Sequence, residues 1–298
     1  MKTKTLVLVS GGLDSRLALK ILQEQLGEQV EALLFLLPFS GGCCSDKHCV
    51  IRFTQKELVK LNIIDCTSGK LFEEYLNIIR HPKFARGTSL NPCIDCHLFM
   101  LKKAREFADK LGIQIIATGE VLGERPLSQT SKALSIIDKE AGFQILRPLS
   151  AKLLEETEWE KKGLIDRSKL LDIQGRNRKR QIELAKKYNI SYPSPGGGCL
   201  LCEKGYCEKL KPLLNSNIGY NDIKLLSLGR HFHNSEIILG RNNEENLILE
   251  KEPGIKIIPK EPGATALIKN SNKSLLEEAK ELIRKYSKKT ISDFDIVY

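Results

Sequence analysis

The segment Ser10-Gly11-Gly12-Leu13-Asp14-Ser15 constrains the fold of this chain more than any other segment. It follows an apolar run, Thr5–Val9, and it leads into a predicted helix from about Ser15 to Gln25, whose apolar residues include Leu17, Leu19, Ile21 and Leu22. A second apolar run, Val30–Leu36, comes next. Strand, helix and strand in this order predict a βαβ unit of a parallel sheet, in which a glycine turn opens the helix.

A glycine turn at a helix N-terminus is suited to binding phosphate, because the first N–H groups of a helix are unpaired and carry partial positive charge. Gly11 and Gly12 would let the backbone approach the oxygens, and the Ser10 and Ser15 hydroxyls can donate hydrogen bonds. Asp14 repels phosphate, so we expect it to hold a Mg²⁺ ion that bridges the phosphates. The Gly-Lys-Ser/Thr ending of a Walker A loop is absent. A purely structural turn, with Ser15 as the helix cap, is the alternative.

Three regions differ in pattern. Residues 1–150 alternate strands and helices and predict a doubly wound α/β domain with a parallel sheet, which binds ligands beyond the carboxyl ends of its strands. Residues 151–212 predict a basic helical segment and a Gly-rich cysteine loop that completes the active site, and 213–298 predict a small α+β module. In that module we expect strands at 236–239, 246–249, 255–258 and 264–268, and a helix at 274–286.

The positive charge is concentrated before the last module. The whole chain has 47 Lys and Arg against 37 Asp and Glu, whereas residues 213–298 have 13 against 12. A basic field favours a polyanionic partner such as RNA, and a solvated basic surface is the equal alternative. The basic residues that we expect to contact RNA phosphates are Arg176, Arg178, Lys179 and Arg180.

Cysteine spacing points to metal binding or thiol chemistry. Cys93 and Cys96 form one CxxC pair, and Cys199 and Cys202 form another. Disulfide scaffolds are mostly much smaller than 298 residues, so bridges are the weaker reading. Thiolates from both pairs would suit tetrahedral zinc or an iron–sulfur site, and spacing alone does not separate the two. We expect Cys43, Cys44 and Cys49 near the same pocket, and Cys66 in the core.

No apolar run approaches the roughly 20 residues that span a bilayer, and no long apolar signal segment is evident at the N-terminus. We therefore expect no membrane partner and a cytoplasmic protein. His97, His231 and His233 are read as surface histidines rather than as ligands or bases.

The motifs resemble those of a known family. Ser10–Ser15 matches the SGGxDS signature of PP-loop ATP pyrophosphatases, and Asn91–His97 is similar to the Asn-Pro-Cys-x-x-Cys-Asn segment of tRNA 2-thiouridylases. Cys43-Cys44-Ser45 resembles another of their segments. Ala117-Thr118-Gly119 matches their Ala-Thr-Gly-His motif, except that Glu120 replaces the histidine. Leu239–Asn246 is weakly similar to NFACT-type RNA-binding modules.

This resemblance implies an adenine nucleotide α-hydrolase-like fold and an ATP site that includes Gly119. It also implies that Cys96 and Cys199 are the sulfur-handling pair, with Asp14 in the catalytic site. With Cys93, these cysteines fit relatives in which three cysteines hold a 4Fe–4S cluster whose fourth iron is open. Cys202 is then a spare ligand. A persulfide-forming cysteine pair and a closed zinc site with all four cysteines are the alternatives.

The predicted function is that of an ATP-dependent tRNA sulfurtransferase, which adenylates a uridine carbonyl oxygen and replaces it with sulfur. The sulfur donor would be inorganic sulfide or a cysteine desulfurase relay, and a homodimer is one candidate for the oligomeric state. Glu120, Arg125 and Gln129 follow a turn at the sheet edge and are expected in the substrate pocket. The alternatives are a PP-loop enzyme that amidates or thiolates a small molecule, and a non-enzymatic RNA-binding protein.

Overall fold

The computed structural model describes residues 4–41, 47–194, 198–287 and 289–298. The expectations for Cys43, Cys44 and Ser45, and for the Pro-Gly run at 195–197, lie outside the described residues. The chain forms two compact units, Met1–Cys202 and Glu203–Tyr298. Among the described residues, no helix has the length and apolarity needed to cross a membrane.

The first unit is built on a four-stranded parallel sheet in the order β3-β2-β1-β4. Its strands are β1 (Thr5–Leu8), β2 (Val30–Leu36), β3 (Lys60–Asp65) and β4 (Ile115–Thr118). The chain runs outward from β1 to β3 and then returns to place β4 on the other side of β1. The strand order therefore reverses between β1 and β4, which is where a doubly wound sheet binds its ligand. The predicted fold class is confirmed.

Seven helices accompany this sheet in the described part of the first unit. They are α1 (Leu13–Leu26), α2 (Lys47–Lys56), α3 (Gly69–Arg80), α4 (Cys93–Lys110), α5 (Ser131–Ala141), α6 (Glu158–Lys161) and α7 (Lys179–Lys187). Leu17 and Leu22 of α1 are buried against the sheet. The same core includes Ile165, Leu170 and Ala185, so the segment after residue 150 packs with the sheet domain.

The second unit is an antiparallel sheet with helices, in the order β5-β6-β8-β7-β9. Its strands are β5 (Arg230–Phe232), β6 (Ile237–Leu239), β7 (Ile255–Pro259), β8 (Ala266–Ile268) and β9 (Phe294–Val297). Its helices are α8 (Lys204–Leu210), α9 (Tyr220–Leu225), α10 (Asn243–Leu249) and α11 (Leu276–Tyr286). The strand predicted at 246–249 is wrong. The Asn242 side chain accepts a hydrogen bond from the Glu245 amide and caps a helix there instead.

The segment similar to NFACT modules has structural contacts in this unit. Arg241 forms an ion pair with Glu245 on the same helix end. The Asn246 side chain donates to the Gly263 carbonyl and accepts from the Thr265 amide, at 2.9 and 3.0 Å. The Asn246 contacts tie α10 to the segment that leads into β8, and the Arg241 pair lies within the helix end, so both motif residues have structural partners in this unit.

Candidate active site

The phosphate-binding candidate lies at the switch point, where α1 begins. Gly12 is the N-cap residue and has no side-chain cap for the first turn. Gly11 has φ +86°, which favours glycine, and an added Cβ there would lie 3.0 Å from Val50. The Ser15 hydroxyl donates to the Gly12 carbonyl at 2.9 Å and accepts from the Ser10 amide at 3.2 Å. The serines therefore shape the loop itself, in addition to any contact with phosphate.

Gly119, just after β4, packs directly against this loop. A Cβ at Gly119 would lie 2.5 Å from the Ser15 amide nitrogen and 2.7 Å from the Asp14 carbonyl carbon. Real Cβ atoms do not approach backbone so closely, so only glycine fits. The two sequence motifs, 10–15 and 117–119, thus form one surface because β1 and β4 are paired neighbours.

A buried arginine that belongs to none of the predicted sites contacts the backbone of this loop. Arg16 is 3% exposed, and its Nε donates to the Gly11 carbonyl at 2.8 Å. Its Nη1 and Nη2 contact the Ser191 carbonyl and the Cys49 Sγ, at 2.6 and 2.8 Å. A single side chain therefore connects the loop with α2 and with the segment after α7. The only indication of this role in the sequence is an arginine among the apolar residues of the predicted helix.

A cavity of about 610 Å³ opens at this edge of the sheet. One wall contains Ser10, Gly12, Asp14 and Ser15, together with Gly119. An apolar wall is contributed by the end of β2 and by α4; its side chains include Leu34, Phe35, Leu37, Met100 and Leu101. Glu120, Arg125 and Gln129, which were expected in a substrate pocket, also line it. A polar end beside an apolar wall suits a phosphorylated ligand that carries an aromatic base.

Two carboxylates and an arginine meet at the polar end. Arg178 Nη2 lies 3.2 Å from Asp14 Oδ2, and Arg178 Nε lies 3.9 Å from Glu124 Oε1. Burial raises the pKa of Asp14 and of Glu124, and Arg178 opposes only part of this rise. Asp14 Oδ1 and Glu124 Oε2 are buried and have no hydrogen-bond partner among the described residues. Unsatisfied carboxylate oxygens of this kind fit a hard divalent cation such as Mg²⁺.

The paired cysteines lie on neighbouring segments. Because α4 begins at Cys93, Cys93 and Cys96 share its first turn. Cys96 Sγ is 3.1 Å from the Tyr75 hydroxyl, and the Asn91 amide donates to Cys93 Sγ at 3.4 Å. Cys199 forms an antiparallel bridge with Ser40, in the segment that follows β2.

The thiols influence one another electrostatically. Burial raises the pKa of Cys96 to about 12, with a further contribution from Cys93. Burial also raises the pKa of Cys199, and Cys96, Cys202 and Cys93 add to the rise. Thiolate sulfurs are soft ligands. A group of cysteines whose thiolate charges repel one another has the chemistry of a site for a thiophilic metal. Within the described ranges, however, no three His, Cys, Asp or Glu side chains converge closely enough to hold a metal ion.

A protein-family model described as "Thiamine biosynthesis protein (ThiI)" matches residues 1–156, just over half of the chain. The chain belongs to the ThiI family. Curated relatives include the tRNA-specific 2-thiouridylase MnmA 2 of Clostridium tetani, 30% identical over 134 residues, and MnmA of Acetivibrio thermocellus, 33% identical over 136 residues. Each alignment covers 40% of this chain, and 36% and 35% of the two relatives. The chain thus aligns with about a third of the length of these relatives.

Two solved structures match parts of this chain. The U34-tRNA thiolase NcsA from Methanococcus maripaludis, with its 4Fe–4S cluster, matches with TM-score 0.40 and 17% identity over 66% of this chain and 60% of that chain. The NH3-dependent NAD synthetase from Campylobacter jejuni matches with TM-score 0.40 and 16% identity over 75% of this chain and 77% of that chain.

This ThiI-family chain departs from the thiouridylase pattern at His97 and Glu120, and those two side chains contact each other. His97 Nδ1 lies 2.7 Å from Glu120 Oε1, and both residues line the cavity. His97 was read from sequence as a surface histidine. His231, read in the same way, is half-buried, and burial lowers its pKa to about 4. His233 is exposed, as expected.

The basic residues predicted to bind RNA lie in different environments. Arg178 lines the cavity beside Asp14. Arg176, Lys179 and Arg180 are exposed, and Arg180 pairs with Asp172 at 2.6 Å. The structure therefore separates Arg178, which faces the candidate nucleotide site, from its exposed neighbours at the start of α7.

Proposed function

We propose that this chain is an ATP-dependent tRNA sulfurtransferase that adenylates a uridine carbonyl oxygen and replaces that oxygen with sulfur. One observation carries the proposal. A single cavity is lined at one end by Ser10 and Asp14 of the phosphate loop, and elsewhere by His97 and Gly198, the neighbours of Cys96 and Cys199. Membership of the ThiI family and the similarity to tRNA-specific 2-thiouridylases support the same activity.

The phosphate loop binds the nucleotide in this proposal. The first N–H groups of α1, with the Ser10 and Ser15 hydroxyls, hold the phosphates of ATP. Asp14 and Glu124 would hold Mg²⁺, which neutralises phosphate charge when it is bound. Arg178 is within reach of both carboxylates and supplies further positive charge at this end of the cavity.

The chemistry proceeds in two displacements. The uridine carbonyl oxygen attacks the α-phosphorus, pyrophosphate leaves, and the N3 proton of the uracil is released to solvent. A hydrosulfide ion then attacks the carbon of the adenylated carbonyl group, AMP leaves with the original oxygen, and N3 regains a proton. No electrons are exchanged. A paired base cannot present its carbonyl edge, so the uridine must be single-stranded or flipped.

We propose Cys93, Cys96 and Cys199 as the residues that would hold a 4Fe–4S cluster, with zinc as the alternative metal, although no three such side chains converge on one point in the described ranges without it. When held by these thiolates, the cluster would supply Lewis-acidic iron that activates sulfide. Cys202 is exposed at the end of the turn Leu200–Cys202, so it is proposed as a spare ligand. The sulfur donor is sulfide or a cysteine desulfurase relay, and the proposed location is the cytoplasm, where tRNA is found.

The test measures pyrophosphate release and thionucleoside formation with bulk tRNA, ATP, Mg²⁺ and sulfide under anaerobic conditions. The wild-type chain is expected to form both products, and Asp14→Ala to form neither. Asp109→Ala, at the exposed C-terminal end of α4, is the matched control and should remain active. Turnover that needs a small amide or acid but no RNA would favour a small-molecule ligase. The absence of any turnover with tRNA would refute the proposal.

A further inference from the structure

The loop that follows β4 carries an arginine whose side chain has no partner among the described residues. Arg125 lines the cavity and is exposed. Its guanidinium group makes no hydrogen bond and no ion pair with any residue that the structure describes. Arg178, in contrast, lies against the carboxylates of Asp14 and Glu124. Of these two cations in the cavity, Arg125 is therefore the one whose N–H donors are available to a bound anion.

Gln129 adds a second donor on the same loop. Its Oε1 accepts a hydrogen bond from the Arg125 backbone amide at 3.1 Å. A backbone N–H group can only donate, so this contact requires the side-chain oxygen on that side and leaves Nε2 on the other. Gln129 lines the cavity, and its Nε2 has no hydrogen-bond partner within the described ranges. An unpaired guanidinium group beside an unpaired amide N–H₂ group is suited to binding an anion.

Backbone hydrogen bonds hold this loop in one conformation. The Gly123 amide donates to the Gln129 carbonyl at 2.7 Å, and the Gln129 amide donates to the Arg125 carbonyl at 3.0 Å. The Gly175 amide donates to the Leu122 carbonyl at 2.7 Å, which ties the start of the loop to the segment before α7. Because the backbone that carries both donors is fixed before a ligand arrives, less entropy is lost when the ligand binds.

Arg125 acts on the polar end of the cavity. Burial raises the pKa of both Asp14 and Glu124, and the charge of Arg125, like that of Arg178, opposes this rise. Arg125 is thus near the two carboxylates that are proposed to hold Mg²⁺. The negative charge of ATP and of these carboxylates exceeds the positive charge that Mg²⁺ and Arg178 supply. A further cation at this end would therefore stabilise the charge that develops on departing pyrophosphate.

We propose that Arg125 and Gln129 form a subsite for the terminal phosphates of ATP and hold them as pyrophosphate leaves. The inference rests on the proposed function, in which pyrophosphate is the leaving group. Arg125 neutralises charge on the terminal phosphates, and Gln129 Nε2 donates to one of their oxygens. A phosphate of the RNA backbone is the other anion that could reach an exposed arginine. The proximity of Arg125 to Asp14 and Glu124 favours the nucleotide.

Calorimetric titration of the full chain with magnesium pyrophosphate and, separately, with AMP tests this inference. Arg125→Gln is expected to weaken pyrophosphate binding about tenfold or more, because a charge-assisted hydrogen bond is lost. AMP lacks the terminal phosphates, so its affinity should equal that of the wild type. Arg125→Lys should retain part of the pyrophosphate affinity, since lysine keeps the charge but not the fork of donors.

Gln129→Glu tests the second donor without removing the bond that shapes the loop. A carboxylate can still accept from the Arg125 amide, whereas the Nε2 donor is replaced by a negatively charged oxygen. Pyrophosphate binding should therefore weaken at least as much as in Arg125→Gln, again with AMP affinity unchanged.

An arginine of the second unit supplies the matched control. Arg230 is exposed, and Arg230→Gln removes one positive charge outside the cavity by the same substitution. This variant is expected to bind pyrophosphate and AMP like the wild type. Because Arg125 is exposed, Arg125→Gln should melt at the wild-type temperature. If Gln129→Glu does not fold, Arg125→Gln decides.

Three outcomes would overturn the inference. The first is wild-type pyrophosphate affinity in Arg125→Gln, and the second is an equal loss of affinity for pyrophosphate and AMP, which indicates a general effect of charge. The third is weaker binding of tRNA with unchanged pyrophosphate affinity, which assigns Arg125 to an RNA phosphate.

Failure of this inference and failure of the proposed function are distinguishable. If the wild type thiolates tRNA and Arg125→Gln binds pyrophosphate equally well, only this inference fails. If the variants lose pyrophosphate affinity as expected but the wild type forms no thionucleoside, the proposed function fails and the phosphate subsite remains.

Discussion

Gly119→Ala tests how closely the turn after β4 packs against the loop Ser10–Ser15. The new methyl group would lie 2.5 and 2.6 Å from the Ser15 amide nitrogen and Cα, and 2.7 Å from the Asp14 carbonyl carbon. These are backbone atoms of the first turn of α1, so no side-chain rotation relieves the overlap. Either α1 or the turn must shift.

Overpacking of a dense interior lowers the free energy of unfolding by about 2 kcal/mol. For a unit of 202 residues this corresponds to a fall in melting temperature of about 4–8 °C. A shift of about 1 Å in the loop would also reduce the rate of pyrophosphate release about a hundredfold, because catalytic geometry is that sensitive.

Thermal unfolding and the rate of pyrophosphate release measure the two effects. Gly205→Ala is the control, since an added Cβ in this helical position of the second unit meets nothing within 4 Å. It should leave the stability equal or slightly higher. A Gly119→Ala variant that melts at the wild-type temperature and releases pyrophosphate at the wild-type rate would refute the described packing.

Four further predictions address the rest of the site. Asp14→Asn should leave the chain at least as stable at neutral pH, because burial raises the pKa of the Asp14 carboxyl and disfavours its charge, while calorimetry should detect no Mg·ATP binding. The pKa of Glu120 is lowered from 4.5 to about 2, so the stability that its ionised form contributes should be lost as pH falls through this window, and urea midpoints of Glu120→Gln should vary less there. Arg178→Ala should weaken ATP binding about tenfold with little change in tRNA affinity. Charge reversal at the exposed Arg176 and Lys179 should instead weaken tRNA binding, and the slope of log affinity against log salt concentration should become shallower by about 2. Protein purified anaerobically should contain about four irons per chain. Cys93→Ala, Cys96→Ala and Cys199→Ala should each lose this iron, whereas Cys202→Ala should retain part of it. One zinc and no iron would indicate a structural site instead.

Local patterns predicted the frame of the first unit well. The apolar runs of β1 and β2, with a glycine turn and an amphipathic helix between them, are short-range signals, and each was sufficient to place its element. Short segments whose apolar spacing fits both a helix and a strand were predicted less well. The segment 246–249 was predicted as a strand but belongs to α10, because the Asn242 cap stabilises the first turn of a helix there.

The sequence by itself determined that a glycine turn opens α1, that the sheet is parallel, and that two CxxC pairs are present. Only the tertiary structure decided which side chains meet there. Arg178 pairs with Asp14 across 164 residues of chain, and His97 meets Glu120 across 23. Contacts over such separations depend on strand order and on the residue at which each helix begins. Strand order placed Gly119 against Ser15, and the start of α4 at Cys93 put His97 on the helix that lines the cavity.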